Sequence, residues 1–167
     1  MTSKSCLTDF ILDVDGVLTD GAFYYSMFGK MFKSFGPDDH DALKLLARKI
    51  RIQFVTSDRR GFRISKKRIT KDMGFQLTFV PADIRLDWLK QNFEIRNVAY
   101  MGDGFTDIPI LREVGCGIAP SNAFHGAIRV ADFVTSHSGG NRAVAEACFE
   151  VGDRLGFSLG EFSSKLP

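Results

Sequence analysis

Phe10-Ile11-Leu12-Asp13-Val14-Asp15-Gly16 is the stretch on which the reading of this chain turns. A short apolar run closed by a turn residue reads as a buried strand, here Phe10–Val14, and along a strand positions i and i+2 face the same way. Open α/β sheets place their ligands at the carboxyl ends of parallel strands. There the pattern sets Asp13 and Asp15 side by side in a crevice. Two like charges so placed repel and drift towards protonation unless a cation neutralises them, and Mg²⁺, with its preference for hard oxygen ligands, suits the pair.

Outward from this strand, short apolar runs alternate with helix-like stretches, the pattern of strand-helix-strand units building a mostly parallel sheet. The further strands are expected at Ile52–Val55, Leu77–Val80, Asn97–Met101, Gly117–Ala119 and Phe133–Thr135. Asp39 is placed to cap a helix whose apolar positions Leu43, Leu46, Ala47 and Ile50 recur every three or four residues, and Asp83 to cap another carrying Leu86 and Leu89. Residues 105–114 and 121–131 supply two more helices, the second opened by Ser121, and Asn141 to about Leu155 the last. One segment breaks the alternation. Residues 17–35 hold two turn-like glycines and a dense aromatic run that predicts an inserted β-hairpin. Phe23, Tyr25, Phe28, Phe32 and Phe35 are more than a two-stranded ribbon buries on itself, so this surface either folds onto the core or meets another subunit.

Two further strand ends carry chemistry. Gly102-Asp103-Gly104-Phe105-Thr106-Asp107 follows the expected strand Asn97–Met101 and opens a helix, which puts Asp103 at another carboxyl end. Val55-Thr56-Ser57-Asp58 ends a third strand in small hydroxyl residues, with exposed backbone N–H groups suited to phosphate oxygens. Singly, each is an ordinary loop or cap; together they make a site.

Composition bounds the answer without choosing it. The 167 residues fit one domain, and 44% hydrophobic with 25% charged residues excludes disordered, collagenous and coiled-coil classes. The net charge of +2 is too small for a global field that gathers nucleic acid or anionic membrane. Locally, ten Lys or Arg between Arg48 and Lys71 face only Asp58 and Asp72, a stripe that reads either as a funnel for an anionic ligand or as a solvated helix face. It has no aromatic platform for nucleic acid. Cys6, Cys116 and Cys148 are odd in number and lack metal spacing to His40, His125 and His137, which predicts reduced thiols. Asp9, Asp13 and Asp15 interrupt any leader-like apolar run and no stretch approaches membrane-spanning length, so a soluble, cytoplasmic protein with no nucleic-acid or membrane partner is expected.

On these residues the chain resembles the haloacid dehalogenase superfamily phosphohydrolases. Asp13-Val14-Asp15-Gly16-Val17 looks like the first motif, Thr56 the second, and Gly102-Asp103 with Asp107 the fourth. Within that superfamily it is similar to the capless branch containing the 3-deoxy-D-manno-octulosonate 8-phosphate phosphatases. Residues 13–21 match the branch's DVDGVLTDG, Lys33-Ser34-Phe35 its KxF segment after a hairpin, and Gly139-Gly140 with Ala143-Val144 and Glu146 its late glycine pair and helix. The similarity covers residues 8 to about 150. It implies a Rossmann-like fold without a cap domain and hydrolysis of a phosphorylated keto-sugar acid or related sugar phosphate through an aspartyl-phosphate.

In the roles so implied, Asp13 is the nucleophile and Asp15 the acid and base. Mg²⁺ is held by Asp13, the Asp15 backbone carbonyl and Asp103, with Asp107 in support, while Thr56 and Ser57 with neighbouring amides, and Arg85, hold the phosphoryl group. The branch also implies a homo-oligomer, a tetramer whose hairpins shield neighbouring sites. Three positions depart from the pattern: Arg85 stands where the family has lysine, Gly104 where it has a second acid, and Asp38-Asp39-His40 where it has a basic residue followed by Asp-Gly. A different class stays open beside the enzyme, a non-catalytic assembly module like those appended to nucleotide-sugar synthetases.

Overall fold

The computed structural model describes residues 7–157, so Cys6 lies outside the described residues. In chain order the elements are β1 (Asp9–Asp13), β2 (Tyr24–Ser26), β3 (Gly29–Phe32), α1 (Asp39–Leu46), β4 (Arg51–Thr56), α2 (Phe62–Lys66), β5 (Gln76–Phe79), α3 (Arg85–Asn92), β6 (Val98–Met101), α4 (Ile108–Glu113), β7 (Cys116–Ala119), α5 (His125–Ile128), β8 (Phe133–Val134) and α6 (Ala143–Arg154). Among the described residues six strands form one sheet in the order β5-β4-β1-β6-β7-β8, every pair parallel, while β2 and β3 make a separate antiparallel hairpin.

Alternation along the strands divides the core in two. Phe10 and Leu12 of β1, Ala99 and Met101 of β6, and Cys116 and Ile118 of β7 face the side covered by α1, α6 and Ile69. Ile11, Val98 and Tyr100, and Ala119 face the side covered by Leu89 of α3, Ile110 of α4 and Ala127 of α5. A sheet buried on both faces needs apolar residues in unbroken runs, which is why the strands stood out in the sequence. The same parity turns Asp13 towards the α3 side.

Helix starts differ from expectation at three places. Asp38, not Asp39, precedes α1, in a left-handed conformation (φ 66°) and without a side-chain cap. Asp39 is buried, and its carboxylate accepts the N–H of Ala145 at 2.8 Å, capping the first turn of α6 from across the interface. Asp83 sits inside a 3₁₀ turn, and α3 begins after Ile84 with no side-chain cap. Ser121 is exposed and α5 begins only at His125, because the Phe124 N–H donates to the Asp103 carbonyl at 2.7 Å and holds the segment to the loop after β6. The basic stripe is divided as well. Arg48 to Arg51 lead into β4 and Arg59 to Lys71 follow it, so the strand, roughly 20 Å long at six residues, sets them at opposite ends of the sheet.

Buried Asp39 is a stability lever. Burial pushes its carboxyl up from 3.8 to about 6, opposed by the Ala145 N–H. The folded chain therefore holds a proton that the unfolded chain has already released between those values, and stability falls as pH rises through that window, by roughly 3 kcal/mol in all. Below pH 4 the group contributes nothing. Asp39→Asn removes this slope, so the variant should gain on the wild type between pH 4 and 7 in denaturant melts; a pH-independent difference would contradict the assignment.

Candidate active site

The candidate residues meet where the chain reverses its direction across the sheet. From β1 it crosses to β4 on one side, and it later returns to β6 on the other, so β1 is hydrogen-bonded between the two. That reversal is where doubly wound sheets open for ligands. It brings together Asp13 at the end of β1, Thr56 at the end of β4 and Asp103 just beyond β6.

The strand ends at Asp13, and the chain then turns sharply, with Gly16 at φ 85° and the Thr19 N–H closing on the Val14 carbonyl at 3.1 Å. A Cβ on Gly16 would lie 2.0 Å from Asp103 Oδ2, so glycine is needed both for the conformation and for the approach of this turn to the acid. The turn also corrects the expected pairing. Strand alternation stops before Asp15, and Asp13 and Asp15 are engaged by different cations.

Arg85 serves the first. Its side chain is 2% exposed, and its Nη1 lies 3.2 Å from Asp13 Oδ2, 3.3 Å from Asp107 Oδ1 and 3.1 Å from Tyr100 Oη. Tyr100 donates to Asp107 Oδ1 at 2.7 Å, and the Gly104 N–H donates to Asp107 Oδ2 at 2.9 Å. Burial opposes the Arg85 charge, but Tyr100, Asp13 and Asp107 hold its pKa above the ordinary arginine range. Arg85 thus stands behind the carboxylates and sets Asp13.

Lys33 serves the second. Its ammonium lies 2.7 Å from Asp15 Oδ1 and 2.9 Å from Asp58 Oδ2, and it donates to Ser65 Oγ at 2.9 Å. Lys30 of β3 pairs with the same Asp58 oxygen at 2.5 Å. Burial works against the Asp58 charge, yet the two lysines hold its pKa down at about 2. Thr56 is buried, donates to Asp15 Oδ2 at 3.4 Å and accepts the Asp58 N–H at 3.1 Å, and Ser57 follows it at the surface. Lys30, Asp58, Ser65 and Tyr100 were not singled out as site residues in the sequence, and Lys33 was noticed only as part of Lys33-Ser34-Phe35.

Carboxylate oxygens of Asp13, Asp103 and Asp107 all lie within 4.8 Å of one another. Burial raises Asp13 to about 7 against the pull of Arg85, and burial, then Asp13 and Asp107, raise Asp103 to about 7. A cluster of buried hard oxygen donors, crowded together and countered by one guanidinium, fits a divalent cation such as Mg²⁺. Asp107, expected only in support, belongs to this cluster, whereas the Asp15 carboxylate is turned to Lys33.

Comparison with known proteins shows the family. Residues 40–147 match the family described as haloacid dehalogenase-like hydrolase. The chain is 32% identical over 158 residues to the 3-deoxy-D-manno-octulosonate 8-phosphate phosphatase KdsC of Salmonella typhi, covering 89% of this chain and 80% of that one. Among solved structures, the 3-deoxy-D-manno-octulosonate 8-phosphate phosphatase of Moraxella catarrhalis, in complex with magnesium ion, phosphate ion and a KDO molecule, superposes with a TM-score of 0.80 at 27% identity, covering 96% of this chain and 92% of that one. The cobalt-bound deoxy-D-mannose-octulosonate 8-phosphate phosphatase of Haemophilus influenzae gives 0.79 at 26%, covering 97% and 99%. The mostly parallel sheet with its separate hairpin is the fold of these neighbours.

The acidic cluster generates a measurable expectation. At pH 8 Mg²⁺ should raise the melting temperature, with about 2.7 kcal/mol of stabilisation when the free ion is at 100 times its Kd. Protons compete for Asp13 and Asp103 as pH falls below about 7, so the gain should shrink towards pH 5. Asp103→Asn should remove it. A Mg²⁺ effect of equal size in that variant would place the ion elsewhere.

Proposed function

The chain belongs to the haloacid dehalogenase-like hydrolases and is a phosphatase of that family, and we propose that it hydrolyses a phosphorylated keto-sugar acid, 3-deoxy-D-manno-octulosonate 8-phosphate or a related nonulosonate or sugar phosphate, for lipopolysaccharide synthesis in the cytosol. The observation that carries this reading is the meeting of Asp13, Asp103 and Asp107, from the adjoining ends of β1 and β6, with buried Arg85 at the start of α3. The names and ligands of the similar enzymes support the substrate class.

In this reading Asp13 attacks phosphorus in line. The ester P–O bond breaks, the leaving sugar oxygen takes the proton of Asp15, and an aspartyl-phosphate remains on Asp13. Water then attacks phosphorus, giving its proton to the Asp15 carboxylate, and the bond to Asp13 breaks to release phosphate. Thr56, Ser57 and the adjoining amides hold the phosphoryl oxygens. Arg85 opposes the effect of burial on Asp13, directs it before attack and stabilises the charge on its phosphorylated form. Asp13, Asp103 and the Asp15 carbonyl, with Asp107 beside them, would hold Mg²⁺, which supplies charge neutralisation to the phosphoryl group.

Phosphate release from a panel of sugar phosphates, with and without Mg²⁺, tests this directly. Turnover of one or more keto-sugar acid phosphates is expected, abolished by chelator and by Asp13→Asn, whose near-isosteric amide cannot serve as nucleophile. That variant should fold with wild-type stability or better, since it removes one of the crowded charges. Full activity in Asp13→Asn excludes the nucleophile assignment, and no release from any member of the panel favours an assembly module.

The hairpin supplies the second element of the proposal. Phe35, at its base, packs on the core, but Met27 and Phe28 at the turn are 91% and 87% exposed, and Tyr25, Met31 and Phe32 lie more than half open. A run of this kind on a two-stranded ribbon fits a second copy of the chain, and closure into a homotetramer would let each hairpin cover a neighbouring crevice. Phe28→Glu should lower the mass seen by light scattering and reduce kcat/KM together. A wild-type chain that is monomeric at micromolar concentration with full activity would end this part of the proposal.

A further inference from the structure

We propose that Lys33 is the positioning residue for Asp15 and that the hairpin secures it through Asp58, an inference that rests on assigning proton transfer to Asp15. An ammonium has three N–H bonds, and Lys33 faces three acceptor groups: Asp15 at 2.7 Å, Asp58 at 2.9 Å and Ser65 at 2.9 Å. Its side chain is 1% exposed. No N–H is left over for a substrate anion, so the action of Lys33 is on Asp15.

Asp15 needs such a partner. It lies past the end of β1, where the ladder no longer fixes the chain, and the other side chain that donates to it, Thr56, is at 3.4 Å. As the ester P–O bond breaks and the leaving oxygen takes the proton, Asp15 changes from a neutral acid to a carboxylate. The ammonium at Oδ1 holds the carboxyl group in one direction, and so fixes where that proton leaves from and returns to.

Asp58 keeps Lys33 in place. Its Oδ1 accepts the Gly61 N–H at 3.0 Å, while its Oδ2 is shared by Lys33 and Lys30. A Cβ on Gly61 would fall 2.1 Å from Asp58 Oδ2 and 2.6 Å from Lys33 Cε, so the cluster fills the space that a side chain there would need. Lys30 belongs to β3, and its ammonium lies over the Phe23 ring at 3.9 Å. Seating the hairpin therefore sets what Asp58 offers to Lys33, and through Lys33 the direction of Asp15.

The test compares kcat/KM, which reports the path through ester cleavage, for the best sugar phosphate of the panel and for p-nitrophenyl phosphate, whose leaving group departs without a proton. Asp15→Asn and Lys33→Met should each lose about 100-fold on the sugar phosphate, within the range of general acid catalysis, and less than about 5-fold on p-nitrophenyl phosphate. Ser65→Ala removes one acceptor of Lys33 with little disturbance, and Lys30→Met loosens Asp58. Both should show the same selectivity at about 3- to 10-fold, which keeps the proposal open to refutation if Lys33→Met fails to fold. Equal losses on both substrates would make the cluster merely structural and overturn the proposal. If Asp15→Asn itself shows no selectivity, the assignment of Asp15 falls and the proposal with it; if Asp15→Asn is selective and the lysine and serine variants are not, the proposal alone fails.

Discussion

Keeping several carboxylates charged in one buried crevice is the constraint around which this molecule is arranged. Two unit charges 4 Å apart interact by about 4 kcal/mol at the effective dielectric of a protein surface, and more where water is excluded. Asp13, Asp103 and Asp107 share such a space, and burial with mutual repulsion lifts Asp13 and Asp103 to about 7 even with Arg85 at hand. One guanidinium does not balance three acids. A second positive charge would relieve that crowding, and the three carboxylates are hard oxygen donors suited to receive one as a divalent cation.

The fold answers that demand from two directions. On the α3 side, Arg85 at the start of the helix reaches Asp13 and Asp107. On the hairpin side, Lys33 reaches Asp15 and Asp58. The turn between Asp13 and Asp15 separates the two environments, and its tightness depends on Gly16 lying against Asp103. Two carboxylates two residues apart thereby have different neighbours, Arg85 for Asp13 and Lys33 for Asp15, which is what the proposed division of roles requires.

What the sequence disclosed follows the range of the forces involved. Each expected sheet strand appears within about a residue or two, because strands buried on both faces must be continuously apolar. Asp13, Thr56 and Asp103 were legible as site candidates because strand ends at a reversal of strand order converge whatever the intervening helices do. Three helix starts were not legible, since capping preference is local while Asp39 is drawn to Ala145 and Phe124 to Asp103 by packing. The basic stripe looked continuous only because a linear reading ignores the strand dividing it. Least visible was the Lys33 cluster, whose partners lie 18 and 32 residues away at Asp15 and Ser65. No spacing rule connects such positions before the sheet is assembled.

Arg85 shows why a substitution that keeps charge need not keep chemistry. An ammonium is a point charge with three donors, whereas a guanidinium is a planar fork. In this chain one Nη1 touches Asp13, Tyr100 and Asp107 together, while the buried Nε has no hydrogen-bond partner among the described residues. A buried donor left unsatisfied costs about 1–3 kcal/mol, a penalty that the charged contacts at Nη1 must exceed for this rotamer to persist. Tyr100 makes those contacts possible, since its hydroxyl accepts from Arg85 and donates to Asp107, tying the two charges to the floor of β6. Lysine at position 85 would present no such plane to Tyr100. The arginine and the tyrosine are therefore best regarded as one unit, with Asp107 as its third member, and that unit is what holds the position 85 guanidinium against Asp13.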